Sequence, residues 1–331
     1  MRMLFAAAVC LAIVSPQVAA SVESRRENRS VRIINVVDDF LAYHKACAEA
    51  DASTRAAKWK TMIEDRYPRF FADVIYRKLD GAALARHKKW CFDEFWEKVA
   101  PEITALAKAN RGIADRILAV QKDFRTQFPD FRAETDFYVT VAFSFKGKVD
   151  TIRTGLTKGS DGKTAKTEKK VFALALEQFL AAGPEVEITI AHEMFHLLHF
   201  QTFSIKGALY RTLWAEGLAS YASAVVVGGH RLTTYLGFEG KKIDLCHKML
   251  PVLAADLKKH MGQTDRRRRR VYFGAEANDT KVPPEAGYYV GFLMVSSLAK
   301  THAMKDLARM PSKQVYKIVA SELDRLAKVS K

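Results

Sequence analysis

The order of hydrophobic periods along the chain predicts an α+β fold: a helical N-terminal region, a small and mostly antiparallel sheet, then a second set of helices. Three observations carry this. Residues 31–128 repeat at helical spacing, with Ile33, Val37, Phe40, His44 and Cys47 on one stripe. Period two replaces it in "DFYVTVAFSF" (136–145), where Phe137, Val139, Val141, Phe143 and Phe145 share a face. Helical spacing returns after Gly183-Pro184 and continues to the C-terminal end. With 331 residues, 49% of them hydrophobic, the chain can bury a large core, which excludes a mainly disordered protein.

Met1–Ala20 reads as a secretory signal: Arg2 supplies the positive start, Leu4–Val14 the apolar stretch and Val18-Ala19-Ala20 the small-residue cleavage site. The apolar stretch is short for a bilayer span, and no other stretch suggests one, so the mature chain is expected to be periplasmic or secreted, without a transmembrane segment. Cys10 follows Val9 rather than a small residue, which argues against lipid modification. Three cysteines then remain, Cys47, Cys91 and Cys246, and in an exported protein a Cys47–Cys91 disulfide competes with three reduced, packed thiols.

A second stripe, Trp59, Met62/Ile63, Tyr67, Phe70/Phe71 and Val74, extends the helical region. Cys91–Ala109 is helical with a break at Pro101, and Asn110–Gly112 stops it before a helix over Ile113–Phe128. After the first strand, Lys146–Lys170 reads as a polar, lysine-bearing segment with a short strand near Thr151–Thr154 and a long hairpin loop, and "VFALALEQF" (171–179) as a more buried strand. Helices follow at Glu185–Phe200, with Pro184 at a tolerated start, and at Arg211–Val227, ended by Gly228-Gly229. Further helices are expected at Lys241–His260, at Ala286–Thr301 and after Pro311. No internal repeat is visible. The implied division is a signal at 1–20, a helical N-terminal region at 21–130 and a second domain at 131–331.

The helix "ITIAHEMFHLLHF" (188–200) places three histidines and a glutamate in an apolar run. Residues four apart lie roughly 6 Å along a helix axis and 40° around it, so His192 and His196 aim two imidazoles at one point. Glu193, one step round, can reach a water there without binding the metal. This is the H-E-x-x-H pattern, which uses a zinc ion to acidify water and a carboxylate to take its proton. A catalytic zinc keeps three protein ligands and an open position. His199 lies a further turn along the same helix, and one straight helix cannot wrap three ligands round an ion, so a supporting or half-buried role suits it better. Glu216, in "LWAEGLASY", follows His196 by enough residues for a second helix to return antiparallel. Its neighbours Trp214, Leu218 and Tyr221 are apolar, Gly217 permits close approach, and a buried glutamate wants a cation. A solvated surface glutamate is the plain alternative.

H-E-x-x-H followed by a helical glutamate resembles the gluzincins, the metallopeptidase clan that includes thermolysin. "EGLASY" with the later "GYYVGF" looks like a bacterial group of predicted zinc-dependent proteases. The resemblance covers about residues 135–300 and is strongest over 192–221. It implies a zincin-like active-site helix pair within a metallopeptidase domain at 131–331, zinc held by His192, His196 and Glu216, and Glu193 as base. It further implies a strand before the motif helix, here Val171–Gln178, whose exposed edge holds an extended peptide. Thermolysin-like enzymes carry a supporting aspartate four residues after the ligand glutamate; here Ser220 stands there. The G-x-M-E-N sequence of related aminopeptidases is absent, so nothing favours exopeptidase action.

An oxyanion on zinc is usually steadied by a tyrosine or histidine opposite the metal. "EAGYYVGF" offers Tyr288 and Tyr289 between Gly287 and Gly291, and the resemblance selects Tyr288; His230 is the other donor considered, although it reads as a loop residue. Two features mislead. "GSDGKT" (159–164) lacks the first glycine of a nucleotide loop, with Thr157 in its place, and lacks the strand–loop–helix context. "DRRRRR" (265–270) sits in a chain of net charge +16 and reads first as a solvated loop, with Arg266–Arg270 as a possible anionic-surface contact. No fold signature or aromatic interleaving points to nucleic acid. The sequence therefore predicts an exported zinc metallopeptidase acting on peptide or protein through a zinc-bound water activated by Glu193. The rival is a catalytically silent zinc-containing protein that binds anionic envelope components; Glu193 argues against it, since a structural site does not need that residue.

Overall fold

The computed structural model describes residues 31–132, 135–142, 145–158, 164–181, 183–275 and 281–329. The expected signal segment and most of "GSDGKT" lie outside the described residues.

At the centre of the chain is a four-stranded sheet in the order β1-β2-β4-β3, where β1 is Arg32–Asn35, β2 Asp136–Thr140, β3 Gly147–Lys158 and β4 Thr164–Ala175. It is mixed rather than mostly antiparallel: β1 and β4 both run parallel to β2, and only the β3–β4 hairpin is antiparallel. Period two failed to anticipate this because β2 is a central strand and all five of its residues are buried. Asp136, at its start, takes charge pairs from both flanking strands. Arg32 Nε donates to it at 2.9 Å and Lys169 Nζ at 2.8 Å.

Residues 31–128 were expected to be helical throughout, but Arg32–Asn35 is a strand. The excursion from β1 to β2 carries helices α1 (Val36–Ala46), α2 (Ala52–Trp59), α3 (Gly81–Trp90), α4 (Ile103–Asn110) and α5 (Ile113–Gln127). Wide π-helical turns occupy Lys60–Glu64, Phe71–Ile75 and Cys91–Phe95. Phe70 stacks on Tyr138 of β2 at 4.0 Å, so this region shares its core with the sheet. Cys47, Cys91 and Cys246 are free, buried thiols. Cys47 packs by Tyr43 and Cys91 lies near Lys88 and Glu64, in different surroundings, so the expected Cys47–Cys91 bridge is not formed.

The hairpin expected within Lys146–Lys170 is mostly strand rather than a short strand with a long loop. Twelve-residue strands β3 and β4 pair through it, with an irregularity between Arg153 and Gly155. Beyond a single 3₁₀ turn (Leu176–Phe179) come α6 (Glu185–His199) and α7 (Leu209–Val227), capped by Gly228 at φ 62°. They are followed by α8 (Leu232–Leu236), α9 (Gly240–His260), α10 (Arg266–Phe273), α11 (Ala286–Leu298), α12 (Met304–Ala308) and α13 (Ser312–Ala327). Among the described residues no helix is long and apolar enough to cross a membrane.

Candidate active site

Helix α6 is buried on most of its circumference, packing on β3 and β4 on one side and on α5 and α7 elsewhere. Its start is fixed by Arg116 of α5, whose Nη2 donates to Gly183 O at 2.9 Å and to Glu187 Oε2 at 2.7 Å. On this rigid rod His192 and His196 stand with ring centroids 4.7 Å apart and nearly perpendicular planes. Helix α7 returns beside it and presents Glu216. His192 Nε2 lies 3.2 Å and His196 Nε2 3.3 Å from the same oxygen, Glu216 Oε2. One donor atom from each residue falls within 4.8 Å of the other two.

These spacings suit a divalent ion. Ligand atoms about 2.0–2.1 Å from a tetrahedral zinc lie about 3.3 Å from one another, matching both measured edges. Burial alone raises a carboxyl pKa, yet the facing imidazoles of His196 and His192 hold Glu216 well below the usual carboxylate range. Burial likewise lowers His196, but Glu216 overrides it and raises the imidazole.

Glu193, 8% exposed, faces the start of β3 beside the two histidines. Burial pushes its carboxyl up, against the pull of His196 and His192. A Cβ at Gly147 would meet Thr189 Cγ2 at 2.6 Å and Glu193 Cγ at 3.1 Å, so only glycine lets β3 approach the carboxylate this closely. Helix α11 closes the site from above. A Cβ at Gly217 would meet Gly291 O at 2.6 Å, so α7 and α11 cross backbone to backbone. That contact brings Tyr288 over the site. Its phenol is raised well above its usual range by the Glu216 charge and by burial, so it remains an O–H donor. Tyr288, His192, Glu193 and Ser220 line one cleft of about 550 Å³.

A family model described as Predicted Zn-dependent protease (DUF2268) matches residues 136–317, more than half of the chain. The chain belongs to the DUF2268 family. No curated protein and no solved structure matches it. The DUF2268 description points to a peptidase with zinc as its metal and peptide or protein as its substrate. The DUF2268 match runs from β2 into α13 and contains the two histidines, both glutamates and Tyr288; β1 to α5 precede it.

Other expectations for this DUF2268 chain fare differently. Tyr289 turns away, its hydroxyl 3.1 Å from His247 Nδ1. His230 is exposed and its backbone N–H donates to Tyr235 Oη, so it is a loop residue. His199 is not half-buried but 1% exposed, stacked on Phe203 at 4.6 Å, with its pKa lowered to about 3 by burial. Neither of its ring nitrogens, nor His196 Nδ1, has a hydrogen-bond partner among the described residues. The strand whose edge would hold peptide is not Val171–Gln178, because β4 is covered by β3; the edge strand is β3. The arginine run is not a loop. Asp265 caps it by accepting from Arg267 N, and Arg269 donates to Gly207 O at 2.9 Å, tying α10 to the α6–α7 connection. Sequence reasoning missed Gly147, Lys146 and Phe238 in the cleft wall. An isolated glycine at a strand start was the available signal for the first.

Proposed function

We propose that the chain is an exported zinc-dependent peptidase in which His192, His196 and Glu216 hold the ion, Glu193 is the general base and Tyr288 the electrophilic donor. The supporting observation is the convergence of both imidazole Nε2 atoms on Glu216 Oε2, with Glu193 and Tyr288 facing the same cleft. Zinc bound by these donors supplies Lewis acidity, polarising a carbonyl and lowering the pKa of a water from 15.7 to about 7. Glu193, whose carboxyl burial raises above its ordinary value, takes the proton of the attacking water and carries it to the departing amine. Tyr288 keeps its proton and donates to the carbonyl oxygen as negative charge grows on it. Glu216 lies beside both imidazoles and keeps their Nε2 atoms directed at one point.

Glu193→Gln tests the assignment, because the amide preserves shape and removes basicity. Zinc per chain should stay stoichiometric while cleavage of a mixed peptide library falls by about 10²–10⁴-fold. Undiminished cleavage refutes the role of Glu193. Export is tested separately: protein recovered from the envelope or medium should begin at Ser21, and recovery of a chain beginning at Met1 in the cytosol alone refutes it.

A further inference from the structure

The edge of β3 should be the place where a peptide adds as a strand, so the state of each outward main-chain group matters. Ala175 N donates to Lys146 O at 2.8 Å. In the register Gly147↔Leu174 to Arg153↔Glu168, the even-numbered residues therefore bond inward to β4. Gly147, Val149, Thr151 and Arg153 turn their N–H and C=O groups outward.

Three of these four are already engaged. Arg153 N donates to Asp73 Oδ2 at 2.9 Å, and its guanidinium Nε to Asp73 Oδ1 at 2.8 Å. Thr151 N donates to Asp150 Oδ1 at 2.8 Å. The Val149 amide faces the Glu193 carboxylate. Asp73 and Val74 come from the π-helical turn Phe71–Ile75, and Lys148 Nζ fastens that turn to the strand by donating to Val74 O at 2.7 Å. The N-terminal region thus stands along the edge as a wall. The cleft agrees with this: Phe145, Lys146 and Gly147 line it, whereas Val149, Thr151 and Arg153 do not.

We propose that strand addition at this site is confined to Gly147, so that the substrate is a short peptide or a chain terminus, not an extended internal loop of a folded protein. The substrate class rests on the peptidase reading above. A bound strand running from Gly147 along the edge reaches the blocked amide of Thr151 after about four residues and that of Arg153 after about six. Past Glu193 it has room for about two residues before it must end. In the other direction Lys146 and Phe145 line the cleft itself.

Two measurements on the full-length, zinc-loaded protein decide this. In the first, one cleaved core peptide is lengthened stepwise at its N-terminal end, its C-terminal end, or both. Lengthening one end should lower kcat/KM roughly tenfold or move the cut so that its distance from that end is kept; lengthening the other end should be tolerated. Undiminished cleavage at a fixed bond with both ends extended overturns the inference. In the second, amide hydrogen exchange is read residue by residue without substrate. Thr151 and Arg153 should exchange slowly, and Asp150→Ala should speed Thr151 roughly tenfold while leaving Arg153 unchanged. Fast exchange at both in the unaltered chain overturns the occupied edge, whatever the activity. Failure to cut any peptide removes the substrate class together with the peptidase reading, and slow exchange would then still uphold the occupied edge.

Discussion

The chemistry of Tyr288 is set largely by its neighbours. Its phenol differs from that of Tyr289, one position along, in facing Glu216 and Glu193 instead of His247. Phe273 packs edge-on against its ring at 5.3 Å, and Gly287 leaves the room that Phe273 fills. Tyr288→Phe keeps this packing and deletes only the O–H. Peptide turnover should then lose about 10²–10³-fold in kcat with little change in KM, since the donor acts on charge absent from the bound substrate. Steady-state kinetics on one fluorogenic peptide decide it, and an unaltered kcat removes Tyr288 from the mechanism. At this scale the sequence was readable where chemistry leaves a local spacing. His192, Glu193 and His196 share one helix turn, and Glu216 has an apolar setting that a surface glutamate lacks. His199 was readable only in part, because its depth depends on Phe203 and the α6–α7 connection, which no periodicity specifies.

At the scale of elements, the site depends on two helices touching without side chains between them. Helices α7 and α11 meet at Gly217 and Gly291, where a Cβ on Gly291 would lie 2.9 Å from Gly217 Cα and 3.0 Å from Leu213 O. Backbone cannot yield as a flexible side chain can, so Gly291→Ala must push α11 outward. We expect a loss of about 1–3 kcal/mol in urea unfolding. Turnover should also fall, because Glu216 lies one residue from the crossing and Tyr288 three. Zinc content should change little, since the three donors belong to α6 and α7 alone; a variant that loses zinc but keeps its stability contradicts this division of labour. The five helices expected after Gly183 follow their spans closely, since each has a long apolar stripe and a glycine or proline at or near an end, whereas α8, α10 and α12 are too short to leave such a stripe. Strand β3 was mostly missed for the opposite reason. Its pairing is specified by β4 across a hairpin, and its own residues are largely polar, as a half-buried edge strand allows.

For the whole molecule, the question is what holds the N-terminal region against the sheet, since the family match begins only at residue 136. Sequence periodicity marks that point because helical spacing gives way to period two near it. It could not show that Arg32–Asn35 completes the sheet or that Asp73 reaches across to Arg153, since these contacts join residues 104 and 80 positions apart in chain order. Burial alone raises the Asp73 carboxyl, but hydrogen bonds from the Arg153 guanidinium and backbone N–H bring it below the ordinary 3.8. Asp136 is lowered in the same way by Arg32 and Lys169, again against burial. Both groups bind protons less readily folded than unfolded, so their contribution to stability is complete above about pH 4 and is lost as pH falls through the folded values. Asp73→Ala should therefore cost about 2 kcal/mol at pH 7, less than a fully buried pair would, because Arg153 can still reach water. That deficit should shrink below pH 4, where the unaltered protein loses the same interaction. Urea unfolding of both proteins at pH 7 and pH 3 measures it. A deficit equal at the two values would mean that Asp73 acts through packing, and the charge pair would then not be what joins the wall to the edge strand.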